Sequence, residues 1–110
     1  MRRIVFAAAI SLIVAGASTV HAQNAGQIAR DSGQLVGQGI ACGVPAPTLL
    51  DIRTKGQLMI AAIVPAGPAR ESMIARQKAY EEIYAAKQAN GETRENCSQI
   101  SRLLATSPFR

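Results

Sequence analysis

From residue 24 onward the apolar positions recur at intervals of three and four, the spacing of helices, and no stretch alternates as a strand does. Over 24–41, Ala25, Ile28, Ala29, Ser32, Val36 and Ile40 follow that spacing and predict a first helix. The same segment carries Gly26, Gly33, Gly37 and Gly39. Each interior glycine costs a helix about 1 kcal/mol against alanine. Gly33-x-x-x-Gly37 and Gly39-x-x-x-Gly43 put small residues on one face. Such a face suits the close approach of another backbone, within the chain or from a partner. Gly43 ends the helix, and Pro45 and Pro47 bar its continuation.

A second helix is expected from about Leu49 to Val64, with Thr48 as N-cap and Asp51 in the capping-box position. Leu49, Ile52, Gly56, Met59 and Ile63 give one face, while Leu58, Ile60, Ala61, Ala62 and Val64 make the second half apolar nearly all round. That pattern fits a central helix or an oligomer surface. Asp51 and Lys55 form an i,i+4 pair on its polar side. A third helix runs from Pro68 to about Ala89, with Pro68 in its first turn, Glu71 near its positive end and Lys87 near its negative end. Met73, Gln77, Tyr80 and Tyr84 form its stripe, Ile83 lies beside it, and Glu81 and Glu82 sit near Lys78 for exposed ion pairs. Asn90-Gly91 is a stop signal. Thr93 or Asn96 caps a fourth helix whose apolar face is Cys97, Ile100, Leu103 and Leu104, and which ends by Ser107-Pro108.

The first residues read differently. Arg2 and Arg3 precede an apolar run, Ile4 to Val14, interrupted only by Ser11. Val20-His21-Ala22 then fits the small-x-small rule of an export signal, predicting cleavage after residue 22 and a single helical domain over 23–110. The run is shorter than the ~20 residues a membrane span needs, so retention as an anchor is the weaker alternative. The residue directly after the expected cleavage site is Gln23 and not cysteine, which excludes lipoprotein processing.

Export changes how the two cysteines are read. Eighty-eight of the 110 residues remain after cleavage, and a domain of that size has a thin core. Cys42 and Cys97, the only cysteines, close the first helix and open the last. In an oxidising compartment such a pair becomes a disulfide, and a loop of 55 residues gives it about 4 kcal/mol of chain-entropy stabilisation. The fold class is therefore all-α, a small antiparallel bundle of about four helices stapled by one disulfide.

Charge and residue types then narrow the chemistry. The full chain carries +5; without Arg2 and Arg3, ten basic residues face seven acids, about +3. There is no dense basic run, and only Tyr80, Tyr84 and Phe109 are aromatic after residue 22, so nucleic-acid binding is not expected. The mild positive charge suits weak contact with anionic surfaces. The one histidine, His21, falls in the signal. Its removal excludes Ser-His-Asp catalysis, the H-E-x-x-H zinc site and the usual haem and copper ligands. The expected disulfide consumes both thiols. Glu92 and Glu95 lie i,i+3 near a helix start, Glu81 and Glu82 point apart, and Ser72 and Lys78 share no face. No catalytic residue, metal site or cofactor site is assigned, and the chain is expected not to be an enzyme.

Short, exported, helical and held by one disulfide, the plan is similar in kind to the small acid-stress chaperones of the bacterial periplasm. That likeness implies a holdase, although those chaperones rely on abundant carboxylates and this chain has seven. Small accessory and immunity proteins of secretion or conjugation systems share the plan as loosely. The expectation taken forward is an exported, periplasmic, protein-binding accessory protein that contacts another envelope protein, or a second copy, through helix faces. Its candidate interface residues are Leu58, Met59, Ile60, Ile63, Tyr80 and Tyr84. Phe109 and Arg110 read as a docking tail or a frayed end.

Overall fold

The computed structural model describes residues 24–109. The expected signal, residues 1–22, and Arg110 lie outside the described residues. Among those described there are four helices and no strand: α1 over 24–41, α2 Ala46–Ile63, α3 Pro68–Ala89 and α4 Cys97–Thr106.

Local chemistry explains the boundaries. Gly43 adopts φ 73°, which lets Val44 N–H reach back to the Gly39 carbonyl (2.9 Å) and Gly43 N–H to Ile40 (3.2 Å). Gly91 at φ 71° closes α3 in the same way, through Lys87 and Gln88. The second helix starts earlier than expected, at Ala46. Pro45 is its N-cap residue and Pro47 lies inside the first turn, so Thr48 and Asp51 make no capping bond. A first-turn proline loses no intrahelical hydrogen bond and arrives with φ preset, so the prolines that bar continuation of α1 also open α2. At the other end, Arg70 of α3 donates to the carbonyls of Val64 (2.9 Å) and Ala61 (3.2 Å), satisfying acceptors the helix leaves open. Asn96, not Thr93, caps α4: its side chain accepts from Gln99 N–H (2.9 Å) while Gln99 accepts from Asn96 N–H (2.8 Å).

Pairings fix the directions. Arg53 meets Glu81, Gln57 meets Gln77 and Ala61 meets Arg70, so α2 and α3 are antiparallel. Gly39 faces Leu49 and Ser32 faces Gly56, so α1 and α2 are antiparallel too. Gly33 faces Gln77 and Gly37 faces Glu81, so α1 and α3 run parallel. The disulfide links the end of α1 to the start of α4, with Cα atoms 5.4 Å apart.

The apolar core lies where α1, α2 and α4 meet. Val36, Leu49, Ile52, Ile100, Leu104 and Phe109 form it, each removed from water. Burying a side chain of this size contributes about 1.5–3 kcal/mol. Phe109 is a core residue, not a free tail; the turn at Ser107–Pro108 folds it back under α4. Cys97 is exposed while Cys42 packs partly against the core, so the staple crosses the rim of the bundle and does not face inward.

Helix α3 is held by other means. Its buried side chains are both polar, Gln77 and Glu81. A Cβ on Gly33 would stand 2.5 Å from the Gln77 carbonyl oxygen and 2.7 Å from Tyr80 Cβ, and one on Gly37 would run into the Glu81 carbonyl. The two glycines thus let the backbones of α1 and α3 touch, and the glycine face serves a contact within the chain.

Candidate binding surfaces

The three-helix junction is polar and fully bonded. Gln77 Nε2 donates to Ser32 Oγ on α1 (2.9 Å) and to the Arg53 carbonyl on α2 (3.1 Å), and its Oε1 accepts from Gln57 Nε2 (3.1 Å). Ser32 Oγ donates in turn to the Ile28 carbonyl (2.6 Å). One helical turn on, Arg53 makes two parallel bonds to Glu81, Nε to Oε2 at 2.8 Å and Nη2 to Oε1 at 2.7 Å. Glu81 is only 6% exposed, so it is not the surface partner of Lys78 that its sequence position suggests. The hydrogen bonding of Arg53 to Glu81, more than the carboxylate's charge alone, raises the Arg53 pKa.

A second polar cluster ties the α3–α4 connection to α1. Buried Gln38 donates through Nε2 to Gln88 Oε1 (3.0 Å) and Glu95 Oε2 (3.4 Å), while Thr93 Oγ1 donates to Gln88 Oε1 (2.5 Å). Gln38 lies one turn before Cys42, and Glu95 two residues before Cys97, so this cluster brings the cysteines into range.

An open groove of about 570 Å³ runs between α2 and α3, lined by Arg53, Gln57, Glu71, Ile74, Gln77 and Lys78. Its floor is made of groups already bonded to each other, and the Glu81 carboxylate is taken by Arg53. Among the described residues no group of three or more His, Cys, Asp or Glu comes together. No described helix is long and apolar enough to cross a membrane.

The candidate interface residues separate. Buried positions on α2 are Leu49, Ile52, Gly56 and Ile60, so the inner face continues from Gly56 to Ile60 and not to Met59. Ile60 is therefore closed to a partner, and Ile63 is partly buried. Leu58 and Met59 point outward, Leu58 at 64% exposure. Leu50, which the expected face did not include, is 56% exposed and lies two turns before Leu58 on the same flank. Its signal was its i,i+8 spacing from Leu58 with Thr54 between them. Tyr80 and Tyr84 are half-buried, outside the apolar core, with ring centroids 6.4 Å apart.

No protein-family model matches the chain, and no curated protein or solved structure does so. The surfaces themselves carry the functional reading.

Proposed function

We propose that the chain is an exported, non-catalytic protein-binding module whose contact surface is the outer flank of α2. The reading rests on Leu50 and Leu58, two leucines each more than half exposed and about 12 Å apart along one flank. Met59 lies beside Leu58. Burial in a contact would stabilise the complex by an appreciable part of the 1.5–3 kcal/mol that a fully buried leucine contributes. The disulfide suits an oxidising compartment, such as the periplasm that the N-terminal sequence predicts. The occupant is an envelope protein or a second copy of the chain.

Photo-crosslinking in intact cells tests this. A benzoylphenylalanine at position 58 is expected to give one discrete adduct, at twice the chain mass for a second copy, while the same group at Arg94 gives none. A smear equal from both positions, or no adduct from 58, overturns the proposal. The exposed leucines also suit a holdase. In that case the chain suppresses light scattering by an unfolding client somewhere between pH 2 and 8, with many client adducts in place of one.

A further inference from the structure

The seam between α1 and α3 carries a surface separate from the α2 flank. At 100° per residue, Arg76, Tyr80, Ile83, Tyr84 and Lys87 of α3 share one flank. The acids of α3 lie elsewhere: Glu81 is bonded to Arg53, and Glu71 and Glu82 sit on the far side with Lys78. Across the seam α1 contributes exposed Arg30, one turn before Gly33, and the nearby Tyr84 raises the Arg30 pKa. The Arg76 guanidinium reaches over Gly26 of α1, its Nη1 4.0 Å from where a Cβ would stand. Lys87 Nζ lies 5.4 Å from the centre of the Tyr84 ring. Asp31 is the neighbouring acid on α1, a residue further round and accepting a bond from Gln27 (2.8 Å). Glu92 follows beyond the end of α3. The result is a strip about 16 Å long, from Arg76 to Lys87, with three cations, two half-buried tyrosines and an isoleucine at 46% exposure.

We infer that this strip binds an acidic segment of a partner protein, its carboxylates on Arg30, Arg76 and Lys87 and its apolar side chains on Tyr80, Ile83 and Tyr84. Tyrosine and arginine are the residues that anchor protein contacts, and a one-sign strip selects an oppositely charged partner. An anionic membrane is the poorer fit, because lipid recognition by charge uses clusters of four to eight cations and here there are three.

The proposal extends the binding-module reading to a second surface, and its test does not touch α2. The test uses a fluorescein-labelled 15-residue peptide of Glu and Leu, a counterpart with Lys for each Glu, and phosphatidylglycerol vesicles, all at low salt. Tighter binding of the acidic peptide than of either alternative is expected. Arg30→Glu with Lys87→Glu should weaken it at least tenfold. Lys78→Glu with Arg94→Glu alters net charge equally on other surfaces and should change it less than threefold. Arg30→Gln with Lys87→Gln, a milder pair for the case where the reversals misfold, should weaken it several-fold. Equal losses in the two reversal pairs, no loss in the glutamine pair, no preference for the acidic peptide, or preference for the vesicles each overturn the proposal.

Discussion

Alanine in place of Gly33 separates two effects that usually act together. In an ordinary helix position the exchange stabilises by about 1 kcal/mol, because alanine orders at lower entropic cost. At Gly33 the new methyl meets the Gln77 carbonyl oxygen at 2.5 Å and Tyr80 Cβ at 2.7 Å. The first of these is backbone and cannot rotate away, so α3 must shift. Overpacking of this kind costs about 1–3 kcal/mol, and the shift also stretches the Ser32–Gln77 bond. The net is a loss of about 1–2 kcal/mol, or roughly 5–15 °C in Tm for a domain of this size. Gly26 is the internal control. A Cβ there meets only the tip of Arg76, at 4.0 Å, so Gly26→Ala should stabilise by about 0.5–1 kcal/mol. Urea unfolding followed by circular dichroism, with the disulfide intact, measures both. Opposite signs are expected; stabilisation by Gly33→Ala would refute the close contact between α1 and α3.

Three further perturbations follow from the same contacts. Removing the disulfide through Cys42→Ser with Cys97→Ser should lower stability by about 4 kcal/mol in denaturant unfolding, the loop-entropy value for 55 residues. Arg53→Met leaves the Glu81 carboxylate unpaired and should cost about 1.5–3 kcal/mol; Arg53→Met with Glu81→Leu should recover part of that in a double-mutant cycle, since two apolar groups leave no charge behind. Asn96→Ala breaks the capping box of α4 and should cost about 1 kcal/mol, seen first as faster amide exchange over Cys97–Thr106.

Helix number, the ends of α1 and α3, and the Cys42–Cys97 pairing were legible because each has a local cause: three-to-four spacing, a glycine stop or a lone cysteine pair. What was misread depended on contacts distant in sequence. Glu81 looks like a surface acid until Arg53 arrives from another helix. Gln77 looks like an interruption in an apolar stripe, and it is the residue that joins all three long helices. Ile60 and Met59 are adjacent and both apolar, and only the placement of α2 against its neighbours decides that Ile60 goes inside. Pro45 and Pro47 mark the break after α1 in the sequence, but where the next helix opens depends on which turn a proline occupies, so α2 begins at Ala46 and not near Leu49. The basic flank of α3 was present in the sequence as Arg76, Tyr80, Tyr84 and Lys87 at helical spacing. Its meaning required Arg30, which comes from another helix.

In the proposed function, the outer flank of α2 contacts another protein and does not hold the fold together. The most direct measurement compares Leu50→Glu with Leu58→Glu, made together, against the unaltered chain, with the photo-crosslinker at position 59 in both. An unchanged Tm within a few degrees and loss of the discrete adduct are the predicted result. An adduct that persists, or a Tm that falls as far as it does for Ile60→Ala, would contradict it.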